Sequence, residues 1–88
     1  MTPTEMVAAR ILSLCKENDM SLNGLAEKSG VPNSTIHNII HGQSQNPRIE
    51  TLIKIGRAFN MSPSEFLDFP EFNAYQLERM KAQINTPK

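Results

Sequence analysis

The sequence predicts an all-α domain of five packed helices with a short C-terminal helical addition, and three observations carry that prediction. No segment alternates polar and apolar residues over a strand's length. Apolar residues recur instead at spacings of three and four through most of the 88-residue chain. Between those runs stand Ser, Thr, Asn, Pro and Gly in the order that starts and stops helices.

Thr2-Pro3-Thr4-Glu5 has a capping threonine, a proline where a missing N–H costs nothing, and a glutamate placed to reach back. The first helix starts there, carries Val7, Ile11 and Leu14 with Ala8, Leu12 and Cys15 beside them, and breaks at Glu17-Asn18-Asp19. Ser21 caps a short second helix with Leu22, Leu25 and Ala26, and Gly30 closes it by adopting positive φ without Cβ strain. A third helix opens at Pro32-Asn33-Ser34-Thr35 and runs through His41 to a stop at Gly42. Gly42 to Pro47 is a polar loop. The fourth helix places Ile49, Leu52, Ile55 and Phe59 on its core stripe and ends at Asn60. Ser62-Pro63-Ser64-Glu65 repeats the first start signal for a helix carrying Phe66 and Leu67, which Pro70 ends. Asn73-Ala74-Tyr75-Gln76 caps a sixth helix with Leu77, Met80 and Ile84 on one stripe. The expected division is a domain over 1–69 and an extension over 70–88, whose stripe is a candidate dimer or partner contact.

Nine Lys and Arg balance nine Asp and Glu, so any charge-driven function depends on local distribution. One cysteine excludes an internal disulfide and any multi-cysteine zinc set. No run approaches the roughly 20 apolar residues of a membrane span. The first residues lack the basic and apolar regions of a secretory signal, so a cytoplasmic chain without membrane contact is expected.

Two short helices joined by Ser29-Gly30-Val31-Pro32 have the length and glycine placement of a helix-turn-helix, over about 21–41. At about 100° per residue, Asn33, Ser34, His37, Asn38 and His41 occupy one side of the third helix and Ile36, Ile39 and Ile40 the other. An ordinary amphipathic helix also turns polar residues outward, but usually mixes Glu and Lys there. Gly30 to Arg48 holds no acidic residue, while Lys28 and Arg48 add positive charge. Amides and hydroxyls without carboxylates suit base edges and phosphates.

Leu25-Ala26-Glu27-Lys28-Ser29-Gly30-Val31, Ser34-Thr35-Ile36, Ile39-Ile40-His41-Gly42, Pro47, Thr51-Leu52, Lys54-Ile55 and Ser64-Glu65-Phe66-Leu67 together resemble the Cro/C1 (XRE) helix-turn-helix family, from about Arg10 to Leu67. The resemblance implies a five-helix lambda-repressor-like DNA-binding domain. It further implies a transcriptional repressor or autoregulator, bound as a homodimer to a pseudo-palindromic site in double-stranded DNA. Position by position, it makes Asn33, Ser34, His37 and Asn38 base-reading residues, and His41, Gln43, Ser44, Asn46 and Arg48 phosphate-binding ones. Leu22 departs from the family, standing where phage repressors often have a phosphate-touching glutamine, so free amides near Asn23 and Gly24 are expected to bind phosphate instead. Gly24 and Gly56 replace larger residues, and close packing of backbones is the expected reason.

An antitoxin-type or other partner-binding module on the same fold, holding a protein through the C-terminal extension, is the alternative reading. His37 and His41 have metal-sharing spacing, but no Glu follows His37 and no third ligand is near, so no metal is expected. Cys15 reads as a buried structural thiol. With no phosphate-cradling glycine loop and no paired carboxylates in an apolar setting, the chain is expected to be neither an enzyme nor cofactor-dependent.

Overall fold

The computed structural model describes residues 2–44 and 46–75. Their helices are α1 (Pro3–Glu17), α2 (Leu22–Ser29), α3 (Asn33–Ile40), α4 (Ile49–Ala58) and α5 (Pro63–Phe66). A further helical stretch over 70–75 is α6. No strand occurs among the described residues.

Local chemistry sets most of the starts. The Thr2 hydroxyl accepts the Glu5 N–H at 3.2 Å, and the Glu5 carboxylate accepts the Thr2 N–H at 2.7 Å. Ser62 and Glu65 repeat that exchange at 3.2 and 3.1 Å. Each pair satisfies two amides that a helix start would otherwise leave without partners. Those accepted bonds, the backbone N–H first, hold both glutamate carboxyls below their ordinary values. At α2 the Ser21 hydroxyl accepts the Gly24 N–H at 3.0 Å.

Three helices end with the same motif, in which a left-handed residue turns the chain back so that two amides reach the last carbonyls. After α1 the turning residue is Asp19 (φ 52°), and Met20 donates to the Cys15 carbonyl at 2.8 Å. Gly42 (φ 75°) after α3 lets Gln43 donate to Asn38, and Asn60 (φ 60°) after α4 lets Met61 donate to Gly56, both at 2.9 Å. Gly30, at φ 77°, closes α2 as expected.

The core draws on each of α1 to α5. Ile11, Leu25, Ile36, Ile39, Ile55 and Phe66 are the large side chains fully removed from water. Around them lie Val7, Ala8, Leu14, Cys15, Val31, Ala58 and Phe59. α2 packs on α3 and α4, α1 on α3, and α4 on α5. Truncating a residue such as Ile36 to Ala removes its buried contacts and leaves a cavity, at a cost of about 2 to 5 kcal/mol. The same packing fixes α3 with its polar side outward.

Several expectations are corrected. Ile49 is 77% exposed: it sits on the first turn of α4, ahead of the stretch that the core covers, and the packed stripe begins at Leu52. α5 ends at Phe66, and Pro70 opens α6 instead of ending α5, since a proline in a first turn sacrifices no helical bond. Asn73 therefore lies inside α6, its N–H bonded to the Phe69 carbonyl at 3.0 Å and its side-chain amide to Asp68 at 2.7 Å. α6 is anchored by Phe72, which packs against the core and stacks on Phe69 with ring centres 5.3 Å apart. At Gly56 a Cβ would lie 3.2 Å from that of Phe66, so the close approach there is of the α4 backbone to a side chain of α5 and not of backbone to backbone. At Gly24 the crowding atom is the Ser21 hydroxyl, the cap of its own helix.

Arg10, given no role by the sequence, ties α1 to α5. Its guanidinium donates to the carbonyls of Phe66 at 3.0 Å and Glu65 at 3.1 Å and lies over the Phe69 ring, 5.3 Å from its centre. A cation suits the carbonyl end of α5, whose last C=O groups lack helical partners.

Candidate nucleic-acid interface

α2, the turn Gly30-Val31-Pro32 and α3 form a helix-turn-helix, held from beneath by Leu25, Val31, Ile36 and Ile39. Burying the isoleucines leaves Asn33, Ser34 and Asn38 exposed, with His37 half-buried and His41 exposed one turn on. The two imidazoles stack, their centres 5.7 Å apart and their planes within 18°.

Asn23 and Asn33, assigned to different tasks by sequence, are brought together. The Asn33 side-chain N–H donates to the Asn23 side-chain carbonyl at 2.6 Å, joining the first turns of α2 and α3. That bond fixes the direction of both amides. The Gly24 amide expected to face phosphate is corrected, because its N–H is taken by Ser21.

Beyond α3 the loop hangs on one backbone oxygen. The amides of Gln43 and Ser44 both donate to the Asn38 carbonyl, at 2.9 and 3.1 Å. Gln43, Asn46 and Arg48 are exposed and Ser44 is half-buried. A cleft of 370 Å³ is lined by Thr35, Ser44, Asn46, Pro47, Arg48 and Thr51, gathering three of the expected phosphate-binding residues where α3 faces the start of α4. Thr35 and Thr51, to which the sequence assigned no individual role, also line it: Thr35 lies between the polar and apolar sides of α3, and Thr51 is one turn past Arg48. Arg48 begins α4 without a side-chain cap, so the first amides there receive no side-chain acceptor from that position.

Leu77, Met80 and Ile84 lie outside the described residues. Among the described residues, no group of three or more His, Cys, Asp or Glu side chains could hold a metal ion. Cys15 is buried, and burial pushes its thiol up, away from the reactive thiolate.

A second helix with an acid-free polar face, seated on an apolar support and followed by a cationic polar loop, defines a helix-turn-helix DNA-binding domain. The sequence profile of the Cro/C1-type HTH DNA-binding domain matches residues 10–71, and the chain belongs to that family. It is 36% identical over 63 residues to the HTH-type transcriptional regulator SinR of Bacillus subtilis (strain 168), a match covering 72% of this chain and 57% of SinR. The chain therefore spans little more than half the length of that curated relative. Among solved structures, prophage Lp1 protein 11 aligns with a TM-score of 0.75 at 29% identity, over 83% of this chain and 96% of that one. A SinR protein/SinI protein complex aligns with a TM-score of 0.64 at 29% identity, over 93% of this chain and 84% of the matched chain. The fold and family are those of DNA-binding regulators and not of enzymes. No described helix is long and apolar enough to cross a membrane.

Proposed function

We propose that the chain is a sequence-specific double-stranded DNA-binding transcriptional regulator, acting in the cytoplasm as a repressor or autoregulator and binding a pseudo-palindromic site as a homodimer. The observation that carries this reading is the outward face of α3, with Asn33 oriented by Asn23 and Asn38 exposed in mid-helix. Since the Asn23 oxygen accepts from Asn33, its own NH2 is left to donate to a phosphate, which only accepts. Asn33 keeps its oxygen and one N–H, a pairing suited to N6 and N7 of adenine. Asn38 offers the same chemistry one turn further, with Ser34 and His37 beside it. His41, Gln43, Ser44, Asn46 and Arg48 grip the flanking backbone. The amides at the start of α4 add donors aimed as an anion requires.

Salt titrations on preferred and scrambled duplexes test the assignment. Asn38→Ala is expected to cost about 1 to 3 kcal/mol on the preferred site and little on scrambled DNA. Arg48→Ala is expected to weaken both alike and reduce the salt slope by about one counterion per protomer. Equal losses for Asn38→Ala on both duplexes would overturn this placement of α3.

A second reading is favoured by the alignment of 93% of this chain with a chain from a two-protein complex. In it the chain also holds a protein partner through the extension that carries Leu77, Met80 and Ile84. Co-purification of a stoichiometric partner, lost on replacing Leu77 and Met80 by Ser, supports that reading; retention of the partner rejects it.

A further inference from the structure

We propose that the outward row Ile49, Ile53 and Arg57 of α4, with Glu50 beside it, is the surface through which two copies of this chain pair, an inference that rests on the proposed homodimer. α4 carries apolar residues on two sides. Leu52, Ile55 and Ala58 turn to the core, whereas Ile49 is 77% exposed and Ile53, half-buried, is not among the residues packed on it. Positions 49, 53 and 57 recur every four residues and so form one row along the helix. Isoleucines in such a row gain by leaving water. The charges beside them decide against DNA as the cover, because the exposed Glu50 carboxylate would meet phosphates of its own sign.

A second copy fits, because a two-fold contact requires a patch complementary to itself. At about 1.5 Å per residue, Ile49 and Arg57 lie about 6 Å to either side of Ile53, and Glu50 about 4.5 Å away on the Ile49 side. Crossing two α4 helices antiparallel at Ile53 therefore sets that residue on its own copy and Ile49 against the aliphatic stem of Arg57 of the second copy. The same crossing brings Glu50 to Arg57 of the second copy, twice by symmetry. Both charges are available: Glu50 pairs only with its neighbour Lys54, at 3.4 Å, and Arg57 is exposed without an ion pair among the described residues. Two isoleucines from each copy bury far less than the roughly 1,200 Å² of a stable interface, so the pairing is weak in free solution and is reinforced where two half-sites hold the copies side by side.

Sedimentation equilibrium of the whole chain without DNA, from micromolar to millimolar concentration, tests the pairing. The expected result is a monomer–dimer equilibrium. Ile53→Ser, checked for retained helix by circular dichroism, should raise its dissociation constant at least about tenfold. Glu50→Arg and Arg57→Glu should each weaken it, and the protein carrying both changes should recover most of the loss, which a merely structural role of either side chain would not allow. On oxidation, Ile53→Cys should cross-link to its own copy much faster than Leu12→Cys, which is exposed on α1. A chain monomeric at millimolar concentration, dimers indifferent to Ile53→Ser, a double reversal no tighter than either single one, or equal cross-linking at the two cysteines would overturn this surface. Because no readout involves DNA, the outcome is separate from that of the salt titrations, and dimers that survive Ile53→Ser reject this surface while leaving the homodimer standing.

Discussion

At the scale of single residues, Asn23 and Asn33 illustrate how a short bond can divide labour between two identical side chains. Each amide has one acceptor and two donors, and the 2.6 Å contact spends the acceptor of one on a donor of the other. On the proposed assignment of Asn23 to phosphate and Asn33 to a base edge, Asn23→Ala should therefore weaken binding to all duplexes and also blur preference at one base pair, since the Asn33 amide is then free to turn over. A selection from random duplexes run with both proteins would detect this; an unchanged preference would mean that Asn33 needs no orienting. Cys15 gives a prediction of the opposite kind. Its raised thiol implies little thiolate in the folded protein, so alkylation by iodoacetamide should be slow in buffer and fast in denaturant. The polar face of α3 was legible because its residue types stand at helical spacing. The Asn23–Asn33 bond was not, since it depends on how the turn sets two helices against one another.

The starts of α1 and α5 were the most legible, because a capping exchange involves residues only three apart, whereas α6 has its start at Pro70 and not at Asn73. The pH dependence of that exchange follows from the lowered Glu5 and Glu65 carboxyls. A carboxyl whose value falls on folding contributes stability above its unfolded value, and that contribution is lost as pH falls through the folded one. Thermal melts should change little between pH 7 and 5 on this account and decline below about 4.3, with the decline shallower in a Glu5→Gln, Glu65→Gln protein. Identical acid slopes in the two proteins would remove the boxes as its source. Helix ends were read less fully. Glycines signalled two of them, but Asp19 took the left-handed position that glycine usually fills, for which its sequence carries only a weak signal. Ile49 misled because periodicity reports a face and not where along the helix its neighbours stop. Arg10 was invisible for a related reason, its partners lying more than fifty positions away. Arg10→Ala should lower stability by about 2 kcal/mol and the melting temperature by roughly 10 °C, with helical content retained. A shift under 2 °C, measured by calorimetry, would show the clamp to be idle.

At the scale of the whole molecule, the proposed reading helix has only eight residues and so room for few base contacts. Selected sites should accordingly be pseudo-palindromes, with half-site centres about 34 Å apart or a multiple of it. Recovery of short asymmetric sites bound by one protomer would exclude the paired arrangement. The way the loop hangs from α3 bears on how such a regulator diverges. Both loop amides are held by the main-chain oxygen of Asn38, a group that every amino acid possesses. Replacing the side chain at that position leaves this attachment untouched, so on the proposed division of roles mutation can retune which base is preferred while the backbone grip survives. A lineage of duplicated copies could thus acquire new target sites one substitution at a time, each intermediate still holding DNA.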